Sequence, residues 1–144
     1  MLVGISPLIS PALLETLHRM GHGDEVVFAD AHFPSESLGP RCIRADGLQI
    51  ADLLDAVLPL FALDTYSGSP VTMMATVPGD SADPAIEERY QSIVVRHWPG
   101  TPPLKKVERF DFYARAAESF AIVASGDSAK YANIILKKGV TPAP

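Results

Sequence analysis

The residues best suited to acid/base chemistry in this sequence lie around one short apolar run. The stretch RMGHGDEVVFADAHFP, residues 19–34, places His22 between two glycines and puts Asp30 and His32 just beyond the apolar run at 26–29. Histidine titrates near pH ~6.5 in model peptides, so an imidazole can both give and accept a proton near neutral pH. The spacing therefore predicts a strand with acid/base groups at both of its ends.

Other chemistries have less support in the residues. His22, Asp30 and His32 are all possible zinc ligands, but the sequence offers no close ligand pair such as two cysteines two residues apart. His22 also fits a hydrogen-bonded turn, and Asp30 fits a turn cap. Cys42 has no histidine nearby in the sequence, which favours a small buried residue over a nucleophile. The phosphate-binding loop, the dinucleotide glycine pattern, HExxH and the GxSxG elbow are absent from the sequence.

Alternating helical and strand patterns surround these residues. Helices are predicted at 10–20, 48–59, 83–98 and 108–118 from the period of their apolar residues and from caps such as Ser10 and Asp83, and Pro59 ends the second of them. Short β-rich runs predict strands at 25–29, 71–77, 119–125 and 132–140. The alternation predicts an α/β fold, a single layered domain over residues 1–144 with a central mixed sheet flanked by helices.

Composition narrows the class of protein. The chain has 144 residues, of which 47% are apolar and 20% charged, as in a globular domain with a substantial core. Its net charge of −5 argues against a nucleic-acid partner or an anionic membrane, since either favours a basic surface. A single cysteine fits a reducing compartment, and the sequence has neither a signal-peptide pattern nor a membrane-length apolar stretch. We therefore expect a cytoplasmic protein.

Several longer segments resemble one known family. They are SPLISPALLETLHRMGHGDEVVFADAHFP at 6–34, IRADG at 43–47, LDTY at 63–66, ERFDFYARA at 108–116 and SGDSAKYANIILKKGV at 125–140. Together they resemble the L-fucose mutarotase / D-ribose pyranase family along essentially the whole chain, which implies a ribose-pyranase-like fold. GHGDE with DAHFP is similar to the fucose branch, because the ribose branch tends toward GHTD and DAGLP. Tyr131-Ala132-Asn133 departs from that branch, which usually has Tyr-Gly-Asn, and matches the ribose-type spelling.

The resemblance implies an isomerase that interconverts the α and β anomers of L-fucose without a metal or other cofactor. In this reaction one proton moves onto the ring oxygen and another leaves the C1 hydroxyl; the ring opens, the carbonyl turns and the steps reverse. The resemblance places the proton donor on His22 and a second catalytic acid/base on Asp64. It places sugar contacts on Asp30, His32, Arg109, Tyr131, Ala132 and Asn133. We expect Tyr131 and Asn133, two apart on an extended segment, to share one face while the Ala132 side chain points away.

Substrate choice and assembly are further expectations. A fucose site needs an apolar wall for the C6 methyl group, and Phe33, Phe110 and Tyr113 are candidates for it, although each is also a plausible core residue. The resemblance implies a homodecamer of two stacked pentamer rings, with sites where subunits meet. We expect the apolar runs at 134–136 and 94–95 to help form the contact surface. A D-ribose pyranase, a non-catalytic monosaccharide-binding protein and a pure assembly protein stay open as alternatives.

Overall fold

Helices and strands alternate along the chain, as the sequence predicts. The computed structural model describes residues 1–66 and 68–144. Its helices are α1 (Pro11–Arg19), α2 (Ile50–Val57), α3 (Pro84–His97) and α4 (Arg109–Glu118), and a 3₁₀ turn, Leu58–Leu60, follows α2. Its strands are β1 (Glu25–Ala29), β2 (Arg41–Ala45), β3 (Val71–Met74), β4 (Lys105–Val107), β5 (Ala121–Ser125) and β6 (Ile134–Lys137). Side chains of Ser10 and Asp83 cap α1 and α3, each of which begins with a proline.

The strands form one mixed sheet in the order β2-β5-β1-β6-β3-β4. The neighbours β1–β5, β2–β5 and β3–β4 are parallel, whereas β6 runs antiparallel to β1 and β3. The carboxyl ends of β1, β3 and β4 therefore meet the amino end of β6 at one end of the sheet, which we call its carboxyl end. The segments before β1 and β3 and after β6 meet at the opposite, amino end.

Helices cover both faces of this sheet. Val26 and Phe28 of β1 belong to a core cluster shared with α1, α2 and α3, whereas Val27 and Ala29 belong to a second cluster shared with α4. All four side chains are fully buried, as expected for a central strand that is covered on both faces. The prediction of an α/β fold with a central mixed sheet flanked by helices is confirmed.

The two outermost strands, β2 and β4, were not predicted. β2 reads RCIRA and buries Ile43 alone, and β4 is the three-residue segment KKV with two exposed lysines. An outermost strand pairs on one side only and needs little apolar pattern, so its sequence signal is weak. The second helix, predicted to end at Pro59, ends at Val57, and the chain continues as the 3₁₀ turn that contains Pro59.

The apolar run at 134–136 does not supply a surface for subunit contacts, contrary to expectation. It forms β6 in the interior of the sheet, where Ile134, Ile135 and Leu136 have no exposed area. Its apolar side chains therefore serve the core of this chain. In the second run, Val94 is buried and Val95 is 40% exposed, so Val95 is the member available to another subunit.

In the part of the chain that the structure describes, no helix is long and apolar enough to cross a membrane. The 14 residues of α3 span about 21 Å, whereas the hydrocarbon core of a bilayer is about 30 Å thick.

Candidate active site

His22 and Asp64 form a pair at the amino end of the sheet. The imidazole Nε2 lies 3.3 Å from Asp64 Oδ1, and the side chains are 49% exposed for His22 and 3% exposed for Asp64. The same Oδ1 accepts the Tyr66 backbone N–H at 3.0 Å, and Lys137 Nζ lies 3.9 Å from Oδ2. When Asp64 is ionised it can only accept hydrogen bonds, so it holds a proton on Nε2 and leaves Nδ1 able to exchange one with a ligand.

Backbone contacts with the end of β6 hold both members of this pair. Gly23, at φ +89°, donates its backbone N–H to the carbonyl oxygen of Lys138 at 2.8 Å. The backbone N–H of Asp64 donates to the carbonyl oxygen of Lys137 at 3.0 Å. Gly139 packs so closely on the segment before Asp64 that a Cβ there would lie 2.4 Å from Leu63 O. Lys138 Nζ also donates to two carbonyls at the end of α1. Local backbone geometry therefore fixes where His22 and Asp64 meet.

A pocket of about 450 Å³ lies at the carboxyl end of the sheet. Its lining residues are Asp30, His32, Phe33, Met74, Asp80, Arg109, Tyr113, Lys130, Tyr131 and Asn133. They come from the loop after β1, from the last residue of β3 and the loop that follows it, from the first half of α4 and from the loop before β6. Ligands of α/β sheets commonly bind at the carboxyl ends of the strands. The structure thus brings together every predicted sugar contact except Ala132.

Asp30 and Asn133 form the buried side of this pocket, with 5% and 4% of their surface exposed. The Asp30 backbone N–H donates to Asn133 Oδ1 at 2.7 Å, and Asp30 Oδ1 accepts the His32 backbone N–H at 2.9 Å. Burial raises the pKa of the Asp30 carboxyl, and contacts with His32, Phe33 and Asn133 offset only part of that rise. A carboxyl of this kind can hold a ligand hydroxyl, because its oxygens accept hydrogen bonds when it is ionised and one of them donates when it is protonated.

Arg109 is the first residue of α4, and its side chain lines the pocket. Its Nε is buried and has no hydrogen-bond partner among residues 1–66 and 68–144. The guanidinium carbon lies 4.8 Å from the centre of the Phe110 ring. A buried N–H without an acceptor is costly, and an oxygen-bearing ligand would satisfy it.

Tyr131 reaches the pocket from a left-handed turn rather than from an extended segment, so that prediction was wrong. Its φ is +56°, a conformation that residues with a Cβ seldom adopt. Its hydroxyl donates to Asp80 Oδ2 at 2.8 Å. Ala132 points away from the pocket, as predicted: it is fully buried in the core, and its carbonyl accepts the Tyr90 hydroxyl at 2.9 Å. Ala132 therefore supports the turn and does not touch the pocket.

Aromatic side chains form one wall of the pocket. The Phe33 ring stacks on Tyr113 with 5.3 Å between centres and meets Phe112 edge to face at 5.9 Å. Phe33 and Tyr113 line the pocket, as expected of a wall for an apolar group. Phe110, the third candidate, is 66% exposed and does not line it.

The two sets of predicted site residues lie at opposite ends of β1. His22 precedes this five-residue strand and Asp30 follows it, so about 16 Å of strand separates them. One copy of the chain therefore does not bring its His22 imidazole into its own pocket. For the same reason His22, Asp30 and His32 do not form a zinc site. Among the described residues, no group of three or more His, Cys, Asp or Glu is placed to hold a metal ion.

Sequence reasoning missed three pocket residues, Met74 and the charged pair Asp80 and Lys130. Lys130 Nζ lies 3.4 Å from Asp80 Oδ1, and both line the pocket. In the sequence Asp80 follows Pro-Gly and has the appearance of an ordinary turn residue. The signal that could have found it is the pairing of β3 with β6, which brings the loop after β3 beside the turn before β6.

Cys42 lies on β2 as a free thiol. Burial, followed by the nearby Glu36 carboxylate, raises its pKa. A raised pKa lowers the thiolate fraction, which opposes a nucleophilic role for Cys42.

Comparisons with known proteins concern the sequence and the fold of the whole chain. A sequence model of the RbsD / FucU transport protein family matches residues 3–141. A crystal structure of the fucose mutarotase from Streptococcus pneumoniae in complex with L-fucose is 45% identical in sequence, with a TM-score of 0.93 over 98% of this chain and 100% of that chain. FucU from Bifidobacterium longum is 43% identical, with a TM-score of 0.92 over 96% of this chain and 99% of that chain. RbsD from Bacillus subtilis, complexed with D-ribose, is 18% identical and shares the fold, with a TM-score of 0.76 over 99% of this chain and 100% of that chain.

Proposed function

From the premise that this chain belongs to the RbsD / FucU family, we propose that it is a mutarotase that interconverts the α and β anomers of L-fucose. The observation that carries the proposal is the 45% identity, over 98% of the chain, with a fucose mutarotase crystallised with L-fucose. Such an enzyme is an isomerase of the racemase and epimerase class.

The pocket at the carboxyl end of the sheet holds the sugar. Its polar groups are of the kinds that bind hydroxyls: the Asp30 carboxyl, the Arg109 guanidinium, the Tyr131 phenol and the Asn133 amide. The stacked Phe33 and Tyr113 rings supply apolar surface for the ring C–H groups and the C6 methyl. His32 lies exposed at the rim, where it contacts the sugar or shapes the opening.

The proton-transfer group comes from another subunit. Because His22 and the pocket lie about 16 Å apart along β1, a site that contains both needs two copies of the chain. In the proposed ring of identical subunits, the amino end of one subunit's sheet meets the carboxyl end of the sheet in the neighbouring subunit. Each contact between subunits then forms one site. We propose a homodecamer of two stacked pentamers with sites of this kind, found in the cytoplasm. Analytical ultracentrifugation tests the assembly, and a monomer with full activity would contradict it.

In this composite site His22 gives a proton to the ring oxygen and takes one from the C1 hydroxyl. Asp64, nearly buried behind it, orients the imidazole and stabilises its charged form. Positioned proton transfer of this kind accelerates reactions by about 10²–10⁴-fold. The aldehyde formed on ring opening turns its carbonyl, and the same groups return the protons as the ring closes.

One observation favours a D-ribose pyranase, namely the alanine in Tyr131-Ala132-Asn133. Its weight is small, because the Ala132 side chain packs in the core and does not touch the pocket. A non-catalytic monosaccharide-binding protein would keep the pocket and bind sugar without accelerating anomer exchange.

Saturation-transfer NMR separates these functions. The H1 resonance of the α anomer of L-fucose, D-galactose or D-ribose is irradiated, and the loss of β signal is followed with and without protein. We expect the largest acceleration with L-fucose and its loss in the His22→Ala variant. Binding by calorimetry without any acceleration would support the binding protein, and faster exchange of D-ribose would support the pyranase.

A further inference from the structure

We propose that Asp80 is a positioning residue that fixes the Tyr131 hydroxyl as a hydrogen-bond acceptor toward the sugar, and so selects ligands with a donating hydroxyl at that point. The inference rests on the proposed sugar site. It assigns a role in specificity to a loop that neither the sequence motifs nor the proposed proton transfer uses.

The hydrogen bonds around the phenol set its polarity, by which we mean whether it donates to a ligand or accepts from one. Tyr131 Oη donates its proton to Asp80 Oδ2 at 2.8 Å and receives the Val77 backbone N–H at 3.4 Å. A phenol has one proton to donate and two lone pairs that accept. Its donor is therefore occupied, and the hydrogen-bonding capacity left for a ligand is one lone pair.

The carboxylate is itself held in place. Asp80 Oδ1 accepts the Ser81 backbone N–H at 2.8 Å, and Lys130 Nζ lies 3.4 Å from the same oxygen. The Ser81 N–H, followed by the Tyr131 hydroxyl, lowers the pKa of Asp80 below its ordinary value. Asp80 is therefore ionised at neutral pH and has no proton to donate to Tyr131. The direction of the Tyr131–Asp80 hydrogen bond is thereby fixed.

The backbone of Tyr131 leaves its side chain little freedom to escape this contact. The residue sits at φ +56°, and its successor, Ala132, is locked into the core through a carbonyl that accepts the Tyr90 hydroxyl. Strained conformations of this kind persist where surrounding contacts hold them, and they are concentrated at binding sites. Asp80 supplies the contact at the far end of the side chain.

Replacement of Asp80 by asparagine reverses this polarity with almost no change of shape. The Ser81 N–H donates on the Oδ1 side, so the asparagine oxygen faces Ser81 and its amide NH₂ faces Tyr131. The phenol then accepts from the amide and turns its own proton toward the sugar. At this point the wild-type site requires a ligand group that donates, whereas the Asp80→Asn site requires one that accepts.

Monodeoxy and monofluoro analogues of L-fucose distinguish the two polarities, because fluorine accepts weakly and cannot donate. Calorimetry measures their affinities for the wild type and for Asp80→Asn. When the altered position is the one that contacts Tyr131, we expect the wild type to bind either analogue with an affinity about three- to tenfold lower than its affinity for L-fucose. Asp80→Asn should bind the fluoro analogue about threefold better than the deoxy analogue. An identical fluoro-to-deoxy ratio in both proteins at every position would overturn the inference.

A double-mutant cycle tests whether Asp80 acts through Tyr131. Asp80→Ala and Tyr131→Phe should each raise KM for L-fucose by about three- to tenfold with little change in kcat, and the double variant should resemble Tyr131→Phe. If the rise in KM of the double variant equals the product of the two single rises, Asp80 acts independently of Tyr131. That result would overturn the inference and leave the mutarotase proposal intact. Asp52→Asn, an exposed acid paired with Arg89, is the matched control and should leave KM unchanged. A wild type that binds L-fucose without accelerating exchange would contradict the proposed function, and the analogue affinities would still decide the role of Asp80.

Discussion

Mixed assemblies of two inactive variants should recover activity, because the proposed site takes its residues from two subunits. His22→Ala removes the imidazole at the amino end of the sheet and leaves the pocket intact. Asp30→Asn alters the pocket at the other end of β1 and leaves His22 intact. At a sugar concentration that does not saturate the site, each pure variant should lose most anomer exchange, because every site in it lacks either the imidazole that transfers protons or the carboxyl that binds the sugar.

The recovered fraction follows from the geometry. A wild-type site in the mixture needs its pocket from a His22→Ala subunit and its imidazole from an Asp30→Asn subunit. With random assembly at equal amounts, each condition holds for half of the subunits, so about one quarter of the sites are complete. If a single chain built the whole site, no complete site would form.

The assay is saturation-transfer NMR on L-fucose after the two variants are co-expressed with different affinity tags and purified through both. The matched control mixes wild type with the double variant His22→Ala/Asp30→Asn. Shared sites again predict about one quarter of wild-type activity per subunit, whereas sites within one chain predict about one half. Recovery of nothing in the first mixture and about one half in the second would refute the shared site.

Four further outcomes are expected. His22→Ala should lower kcat by about 10²–10⁴-fold, as measured by exchange NMR, because the proton-transfer group is lost. It should change the free energy of unfolding by no more than about 0.5 kcal/mol, as measured by chemical denaturation, because the side chain is half exposed. Asp30→Asn should weaken sugar binding yet stabilise the fold. Burial raises the Asp30 pKa above its ordinary 3.8, so ionisation of this carboxyl costs stability once the pH passes that value, and melting curves should show the variant's advantage growing as the pH rises above 3.8 and then levelling off. Gly139→Ala should lower the free energy of unfolding in urea by about 1–3 kcal/mol, because the new methyl would overlap Leu63 O; an unchanged midpoint would contradict that contact. Ala132→Gly should change the preference for L-fucose over D-ribose by less than about threefold, since the side chain lies outside the pocket, and exchange rates on both sugars check this.

The sequence predicted the central fold because its buried elements carry strong local signals. The strand at 25–29 is a continuous apolar run, and the helices that begin at Pro11 and Pro84 have both a cap and an apolar period. The strands β2 and β4 were not predicted, because the outermost strands of a sheet need little apolar pattern. The hydrophobicity of the run at 134–136 was interpreted as an intersubunit surface, but composition alone does not distinguish a core strand from an interface.

The candidate site was predicted residue by residue, but its arrangement was not. The position of Asp30 after β1 follows from the strand pattern, and the family resemblance added Arg109 and Tyr131. The left-handed turn at Tyr131 and its contact with Asp80 depend on the pairing of β3 with β6, which joins segments more than 50 residues apart. The separation of His22 from Asp30, by contrast, follows from the predicted strand at 25–29, and the structure adds which other residues lie with each of them.

The most direct test of the shared acid/base site is a crystal structure of the assembled protein with L-fucose. The quantity to measure is the distance from the ring oxygen and the C1 hydroxyl of the bound sugar to the imidazole nitrogens of each subunit. We expect an imidazole nitrogen of His22 from a neighbouring subunit within about 3.2 Å of one of these oxygens, with Asp30 and Arg109 of the first subunit contacting the same sugar. A sugar bound in the pocket with no His22 of any subunit within reach of C1 or the ring oxygen would contradict the account.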